Sequence, residues 1–303
     1  RMLGRSGLKV STVCLGTMTF AEQTPEDEAH KQLDLAVDRG VTFWDTAEVY
    51  PVPQRAETYG MTETFIGNWL KKRGGRDRIV LATKVIGPND RLKHIRTGRT
   101  KLDRANITAA IDGSLKRLQT DYVDLYQTHF PDRSTNTFEK MNYKHAPDPQ
   151  DVPLEETFGV MRDLVKAGKI RAYGVSNETA WGLARQLQLA KDDPSLPRVA
   201  SVQNPYSLLN RSYDVGMAEI SMREDCPLMA YSPLAFGTLT GKYVGGAMPA
   251  GSRMSLGHAH WARYMWPRAQ EATAAYAALA RKHGLSPGGM AMVYVMTRPW
   301  TGS

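Results

Sequence analysis

The sequence predicts one α/β domain over residues 1–303, built as a closed (β/α)8 barrel. Short apolar runs alternate with amphipathic helical patterns along the chain, which indicates repeated strand–helix units. The runs are almost continuously apolar, as is typical of parallel strands that helices cover. The first strand–helix turn, at residues 16–20, lacks the G-x-G-x-x-G pattern of an open dinucleotide-binding sheet. A closed barrel is therefore favoured over an open doubly wound sheet.

Each predicted strand is bounded by its apolar run, and each predicted helix by its apolar face and its capping signals. The strands are predicted at residues 13–17, 41–45, 79–84, 122–128, 170–176, 199–203 and 228–231. The first helix is predicted to begin with Thr24 as its cap and Pro25 in its first turn, and to end at Gly40. Further helices are predicted around residues 65–70, 107–118, 154–164, 183–187, 215–222 and 286–295. An eighth strand is predicted to begin at residue 298.

The composition is that of an ordinary folded domain. Hydrophobic residues make up 42% of the chain and charged residues 23%, which excludes a disordered protein. The net charge of +8 is spread thinly, so solvated helix ends are favoured over a nucleic-acid surface. The excess of basic residues also suits an anionic small ligand.

No apolar run approaches the ~20 residues that cross a membrane, and the first residues do not form a signal peptide. Because there are only two cysteines, we expect a reducing, cytoplasmic location.

Six polar residues lie at or just after the ends of six different predicted strands. They are Asp45, Lys84, His129, Asn177, Gln203 and Tyr231. The carboxyl ends of barrel strands converge on one face, and the active sites of barrel enzymes lie there. Any one of these residues could instead be a cap, a surface residue or a buried core residue. Six of them at equivalent positions predict a functional site.

The motifs around these residues resemble those of a known enzyme family. They are Asp-Thr-Ala-Glu-Val-Tyr at 45–50, Thr-Lys at 83–84, Gln-Thr-His at 127–129, Gly-Val-Ser-Asn at 174–177, Gln-Asn at 203–204 and Tyr-Ser-Pro-Leu at 231–234. Together they resemble the aldo-keto reductases, in particular the bacterial and potassium-channel β-subunit-like branch. The resemblance implies a (β/α)8 TIM barrel that reduces aldehydes or ketones to alcohols with NADPH.

Reduction of a carbonyl needs a hydride donor for the carbon and a proton donor for the oxygen. Tyr50 is the predicted proton donor, and a neighbouring Lys84 ammonium would lower the pKa of its phenol from about 10. Asp45 is the natural ion-pair partner of a lysine in a pocket, and His129 could orient the carbonyl with a hydrogen bond. Tyr59 is a competing proton donor, although the Asp-Thr-Ala-x-x-Tyr spacing selects Tyr50. No metal is expected, because the histidines and cysteines form no ligand pattern.

The cofactor NADP(H) is predicted to bind across the ends of the later strands. Side chains of Ser176, Asn177 and Gln203 could hold the nicotinamide carboxamide, and Tyr231 offers an aromatic face unless it is a core tyrosine at the barrel rim. The segment that follows resembles the loop that covers the pyrophosphate. The full predicted cofactor site comprises Gly16, Thr17, Met18, Asp45, Ser176, Asn177, Gln203, Tyr231, Ser232, Pro233, Leu234, Gly237, Lys242 and Arg253.

Two long segments are predicted to border the site. Residues 130–152 are too many for an ordinary strand–helix connection, so they could wall the substrate pocket or simply pack on the barrel. The candidate wall residues are Phe130, Phe138, Met141 and Tyr143. The glycine-containing segment 236–262 is predicted to be a mobile latch over the cofactor, although a plain flexible excursion would have the same composition.

The resemblance to the family breaks off near the C-terminus. Members of the family continue with a closing strand and a helix that grips the adenosine end of the cofactor, and this sequence ends at Ser303 without them. The final strand and helix are therefore expected to be absent from these 303 residues. The preference for NADPH over NADH depends on the resemblance, with Arg253 as the visible candidate for contacting the extra phosphate.

Two alternative functions stay open at this point. The chain could be a regulatory subunit that senses redox state by holding NADPH, with weak catalysis. It could also be a Schiff-base barrel enzyme with Lys84 as its nucleophile, although Asp45 and Tyr50 are then less well explained. For the favoured function we expect a small aldehyde or ketone as partner and neither nucleic acid nor membrane, and a homo-oligomer is compatible with the sequence.

Overall fold

The computed structural model describes residues 1–96, 98–138, 142–256 and 259–303. Within these residues seven parallel strands form one curled sheet, in which each strand pairs with the next along the chain. The strands are β1 (Cys14–Gly16), β2 (Phe43–Asp45), β3 (Val80–Val85), β4 (Val123–Thr128), β5 (Ile170–Ser176), β6 (Val199–Pro205) and β7 (Leu228–Tyr231). This order of parallel strands, with helices between them, confirms the predicted barrel class.

Helices follow the strands and cover the outer face of the sheet. Those in the described part of the chain are α1 (Glu26–Asp38), α2 (Met61–Arg73), α3 (Arg104–Leu118), α4 (Leu154–Lys166), α5 (Ala180–Asp192), α6 (Tyr213–Glu224), α7 (Pro267–Lys282) and α8 (Pro287–Met296). Short 3-10 helices span Arg76–Arg78, Ala235–Thr240, Val244–Gly246, Met254–Leu256 and Ala259–Tyr264. None of the described helices is both long and apolar enough to cross a membrane.

The sequence patterns did not mark every helix correctly. At the start of α1 it is Pro25, rather than Thr24, that occupies the cap position, and it makes no side-chain cap hydrogen bond. Helix α7 is absent from the predicted elements because it buries mainly small residues, Thr273, Ala277 and Ala280, which mark an apolar face only weakly.

The alternation of side chains along the strands places polar residues above an apolar layer inside the curled sheet. Phe43 and Asp45 of β2 are two residues apart and share a face, as do Ala82 and Lys84 of β3. The intervening Trp44 packs outward in the main core. The inner apolar cluster consists of Leu3, Val10, Phe43, Ala82, Leu125, Ala172, Ala200 and Met229. The inward polar residues therefore lie at the carboxyl end of the sheet, above this cluster.

The last residues of the chain lie between β7 and β1, which do not pair with each other in the described structure. Thr301 forms an isolated parallel bridge with Leu228 of β7, and the Ser303 hydroxyl donates a hydrogen bond to the Ser11 carbonyl at 3.2 Å. The prediction that an eighth strand begins at residue 298 is wrong. The chain still turns there, and Pro299 has no N–H to give to a strand ladder.

Candidate active site

The ammonium of Lys84 lies at the centre of a buried polar cluster at the carboxyl end of the sheet. Its Nζ donates hydrogen bonds to Asp45 Oδ2 at 2.6 Å and to the Thr46 carbonyl at 2.9 Å. It also lies 3.4 Å from the hydroxyl oxygen of Tyr50 and 4.9 Å from the centroid of that ring. Lys84 is fully buried, and Asp45 and Tyr50 are each only 8% exposed. The structure thus places three of the predicted catalytic residues in direct contact.

These contacts determine which groups carry a proton. Burial acts to lower the pKa of Lys84, but Asp45 and Tyr50 outweigh burial and raise that pKa above its ordinary value. Burial raises the pKa of the Tyr50 phenol, and the nearby Lys84 charge opposes this with a smaller effect. Lys84 thus acts on the pKa of Tyr50 in the predicted direction, but burial outweighs it and the net pKa is raised instead of lowered. At neutral pH the pair consists of an ammonium and a protonated phenol.

Two side-chain amides hold the other oxygen of Asp45. Nε2 of Gln127 donates to Asp45 Oδ1 at 3.1 Å, and Nε2 of Gln203 donates to the same oxygen at 2.9 Å. The sequence predicts Gln203 as a cofactor ligand and assigns no role to Gln127. Gln127 is the register partner of Lys84 and precedes His129 by two residues, and this position is the signal that could have identified it.

His129 lies beside the Tyr50 ring at the end of β4. The two rings stand edge to face with their centroids 5.5 Å apart, and the His129 backbone N–H donates to the Val85 carbonyl at 2.9 Å. Burial, and then the charge of Lys84, lower the pKa of His129 well below its usual value. Nδ1 is buried and has no hydrogen-bond partner among the described residues. The neutral imidazole therefore keeps one N–H that can donate to a ligand.

The competing tyrosine lies outside this cluster. The Tyr59 hydroxyl donates to Glu48 Oε2 at 3.0 Å, and its ring centroid lies 5.2 Å from the Arg117 guanidinium. Burial and then Glu48 raise the pKa of Tyr59. Tyr50 is the tyrosine that contacts Lys84, and it is the one that the motif spacing selects.

Two aromatic side chains extend from the cluster along the segment that follows His129. The Phe130 ring lies with its centroid 6.1 Å from that of His129, and it packs edge to face against Phe138 at 5.5 Å. Tyr143 is more than half exposed and has no part in this stack. Met141 lies outside the described residues. Phe130 and Phe138 are therefore the predicted wall residues that the structure places beside the site.

The predicted carboxamide-binding residues are joined to one another by hydrogen bonds. The Tyr231 hydroxyl donates to Asn177 Oδ1 at 2.7 Å, and Asn177 Nδ2 donates to the His129 carbonyl at 2.9 Å. The Ser176 hydroxyl donates to the Gln203 carbonyl at 2.9 Å. Asn177 holds a left-handed backbone with φ +51°, which few residues other than glycine adopt. This network connects the ends of β4, β5, β6 and β7.

A cavity of about 200 Å³ opens next to Asp45 between β7 and β1. The predicted cofactor residues that line it are Gly16, Asp45, Gln203, Tyr231, Ser232 and Pro233. Two neighbours in the first turn do not line this cavity, because Thr17 is buried with its hydroxyl on the Asp45 carbonyl and Met18 packs in apolar clusters. A crevice of about 240 Å³ on the outer side of β4 and β5 contains none of the predicted site residues.

The segment after β7 has an unusual backbone. Ser232, Ala235 and Phe236 have φ values of +56°, +48° and +57°, and Gly237 has +92°. Left-handed residues in turns can direct successive backbone N–H groups toward one side, as in anion-binding nests. The Lys242 side chain lies over Gly237, where a Cβ would be 3.1 Å from Cε and 3.3 Å from Nζ. A glycine at 237 therefore leaves room for a cation beside this backbone.

Two guanidinium groups lie near the Phe236 ring in the same segment. The distance to the ring centroid is 5.7 Å for Arg253 and 5.0 Å for Arg263. Burial lowers the pKa of Arg253, and Arg263 is a cation that the sequence analysis missed. The described residues of the segment contribute to a buried apolar cluster around Phe236. Residues 257–258 lie outside the described structure, and the role of segment 236–262 as a latch stays a prediction.

Comparison with known proteins places this chain in a family. The aldo/keto reductase family profile matches residues 12–302. The chain belongs to the aldo/keto reductase family. It is 52% identical over 301 residues to protein Tas of Escherichia coli strain K12, an alignment that covers 98% of this chain and 86% of Tas. Identity to a probable voltage-gated potassium channel subunit beta of Arabidopsis thaliana is 34% over 271 residues, covering 84% of this chain and 69% of that protein.

A third relative comes from Bacillus subtilis. The uncharacterized oxidoreductase YrpG of Bacillus subtilis strain 168 is 36% identical over 245 residues, which cover 79% of this chain and 68% of YrpG. The family and the bacterial and channel-subunit-like branch that the motifs predict are therefore confirmed.

Proposed function

We propose that this chain reduces aldehydes or ketones to alcohols with NADPH, and that Tyr50 supplies the proton. The family generally carries out carbonyl reduction on small molecules. For this chain, the observation that carries the proposal is the contact of Lys84 with both Asp45 and Tyr50, in a buried cluster beside His129. Charges act more strongly on a reacting group in such a buried place than in water.

Tyr50 is the acid of the proposed reaction. Its raised pKa keeps the phenol protonated at neutral pH, so that it can give its proton to the oxygen of the carbonyl as negative charge develops there. Lys84 stabilises the phenolate that remains, because its ammonium lies 3.4 Å from the phenol oxygen and Asp45 keeps it charged. His129 would donate a hydrogen bond to the same carbonyl oxygen and hold it near Tyr50.

Donor groups at the end of β5 and in the segment after β7 fit NADPH in their chemistry. Hydroxyl and amide groups of Ser176 and Asn177 are of the types that bind a carboxamide, and Lys242 beside the backbone of Gly237 suits a pyrophosphate. When it is bound, NADPH supplies a hydride to the carbonyl carbon. We propose Arg253, with Arg263 on the same ring, as the cations that contact the extra phosphate.

The charge state of Lys84 argues against the Schiff-base alternative. A nucleophilic lysine must lose its proton before it attacks a carbonyl. The pKa of Lys84 is instead raised, and its ammonium donates to Asp45 and to the Thr46 carbonyl. Lys84 is therefore assigned to the stabilisation of charge on Tyr50.

We also propose a reducing, cytoplasmic location for this protein. Cys14 and Cys226 are both free thiols, and burial raises the pKa of Cys226 to about 12. A thiol with so high a pKa forms little thiolate and is a poor partner for disulfide exchange. These properties suit a protein that does not depend on disulfides.

The test of the proposed function is NADPH oxidation by the parent protein over a panel of small aldehydes, ketones and dicarbonyls, with Tyr50→Phe measured alongside. The substitution removes one hydroxyl and leaves the ring, so we expect kcat to fall by about 10²–10⁴-fold. The NADPH dissociation constant, followed by tryptophan fluorescence quenching, should change little.

Tyr213→Phe is the matched control for this experiment. Tyr213 is also buried, and its hydroxyl forms a hydrogen bond with Ser221 within α6 instead of contacting the Lys84 cluster. We expect its turnover to equal that of the parent. Full turnover by Tyr50→Phe would exclude Tyr50 as the acid. A parent that bound NADPH and reduced nothing on the panel would favour the regulatory alternative.

A further inference from the structure

We propose that the buried ion pair between Glu48 and Arg96 is a positioning device that sets Tyr50 against Lys84, an inference that rests on the proposed role of Tyr50 as the acid. Glu48 lies in the connection after β2, two residues before Tyr50. Arg96 lies in the connection between β3 and α3. Neither side chain contacts the Lys84 ammonium, so any influence on the reaction passes through the placement of Tyr50.

The pair itself is bidentate. Arg96 Nη1 donates to Glu48 Oε2 at 2.6 Å, and Nη2 donates to Oε1 at 3.0 Å. The Glu48 side chain is fully buried, and that of Arg96 is 17% exposed. Nε of Arg96 donates to Asn106 Oδ1 on α3 at 2.9 Å. Two parallel hydrogen bonds fix orientation as well as distance, so the pair joins the two connections rigidly.

Glu48 also joins the Tyr50 segment to the strand that carries Lys84. Its Oε1 accepts a hydrogen bond from the Ile86 backbone N–H at 2.8 Å, and its own backbone N–H donates to the Lys84 carbonyl at 3.2 Å. Glu48 therefore bonds the backbone around the end of β3 at two points, the carbonyl of Lys84 and the N–H of Ile86. The separation of Tyr50 from Lys84 is therefore set through Glu48.

Packing against Tyr50 depends on the same pair. Ile95, the neighbour of Arg96, is fully buried in one apolar cluster with Val49, Tyr50 and Ile86. Arg96 itself has a left-handed backbone with φ +57°, a conformation that persists only where surrounding contacts impose it. Loss of the ion pair would release this backbone and, with it, Ile95 of the apolar cluster that contains Tyr50.

The energetics also favour positioning over stability as the role of this pair. Burying two charges carries a desolvation penalty that their attraction only roughly offsets, so a buried pair is weak evidence of net stabilisation. The Glu48 carboxylate nevertheless accepts hydrogen bonds from Ile86, from Tyr59 and twice from Arg96. These four hydrogen bonds fix the position of the Glu48 carboxylate, and Glu48 lies two residues before Tyr50.

The chain offers a matched control at the opposite end of β3. Asp124 Oδ2 accepts from Arg76 Nη2 at 2.8 Å and from the Leu81 backbone N–H at 2.9 Å. The side chains of Arg76 and Asp124 are 16% and 2% exposed, close to the values for Arg96 and Glu48. This pair therefore anchors the same strand through a buried carboxylate, at the end that lacks Tyr50. Arg76 makes one hydrogen bond to its carboxylate where Arg96 makes two, and Asp124 Oδ1 also accepts from Arg171 Nη1 at 2.8 Å.

The experiment compares Arg96→Met with Arg76→Met. Both variants should unfold at lower temperature than the parent, because each leaves a buried carboxylate with fewer partners. In carbonyl reduction, kcat of Arg96→Met should fall by about 10–100-fold, as is typical of a small misplacement of a catalytic group. kcat of Arg76→Met should stay within about two-fold of the parent. The NADPH dissociation constant should be unchanged in both.

A kcat for Arg96→Met equal to that of the parent, or an equal loss in both variants, would overturn the proposal. If Arg96→Met fails to fold, the double variant Glu48→Gln/Arg96→Met removes both charges and gives the same comparison. Hydrogen exchange provides a readout that needs no turnover. Exchange at residues 47–50 should quicken in Arg96→Met and not in Arg76→Met, and unchanged exchange would contradict positioning even in a parent that reduces no carbonyl.

Discussion

The two sides of the active-site face are held together in different ways. At the ends of β2, β3 and β4, a buried charge pair carries the structure, with Lys84 on Asp45 at 2.6 Å. At the ends of β5, β6 and β7, the predicted cofactor residues are neutral, and several bond to one another, as Tyr231 does to Asn177 at 2.7 Å. The ends of β2 to β4 are held together by attraction between buried charges. The ends of β5 to β7 are held together by hydrogen bonds between neutral groups, which a ligand could replace.

This difference corresponds to the two proposed tasks. A group that moves a proton needs its charges in place before the substrate arrives, because reorganisation during the reaction would add to the barrier. A group that binds a carboxamide can exchange an internal hydrogen bond for one to the ligand. The net change in free energy is then only about 1 kcal/mol per bond. We therefore expect substitutions on the charged side to have larger effects than substitutions on the neutral side.

The largest effect is expected for Lys84→Met. The change leaves Asp45 buried without a cation, so the free energy of unfolding should fall by about 3–5 kcal/mol, measured by urea denaturation. Turnover should also fall, because the phenolate of Tyr50 would lose its stabilising charge.

The double variant Asp45→Asn/Lys84→Met is the control for that experiment. It removes both charges, so most of the stability should return while turnover stays low. If Lys84→Met had the stability of the parent, the charge pair would not be what holds this side of the site together.

A smaller effect is expected for Gly237→Ala, in the segment after β7 that is predicted to bind the cofactor. The new Cβ would crowd Lys242, and displacing one charge-assisted contact with phosphate should raise the NADPH dissociation constant by about ten-fold. Gly245→Ala is the matched control, because Gly245 also has a positive φ of +75° but has nothing within 4 Å of the new Cβ. Equal changes in both variants would mean that backbone strain, rather than Lys242, limits binding.

The smallest effect is expected from pH. The pKa of His129 is lowered in the folded protein, so between that value and about 6.5 the unfolded chain binds the extra proton. Stability from this group is complete above about pH 6.5 and declines as the pH falls below it. Urea denaturation at several pH values should show this decline, and His129→Gln should show a shallower one. An inflection of kcat/KM near pH 6.5 that disappears in His129→Gln would contradict a neutral His129.

Local patterns predicted the sheet well because the five strands β2 to β6 are largely buried on both faces. β5 and β7 have the predicted bounds, and the other strands differ by one or two residues at their ends. The polar strand-end residues were equally visible, since apolar runs have no reason to finish in Asp45 or Lys84. Helix α7 was missed because alanine gives a weak periodic signal.

The sequence by itself determined the barrel class, the family and the set of residues at the strand ends, because periodicity and motif spacing are properties of short stretches of chain. Tertiary structure decided which side chains meet. Gln127 reaches Asp45 across 82 residues, and Arg96 reaches Glu48 across 48. It also decided the pKa of Tyr50, which burial raises against the charge of Lys84. Depth of burial and distances between remote segments arise only when the whole sheet curls, so no local pattern contains them.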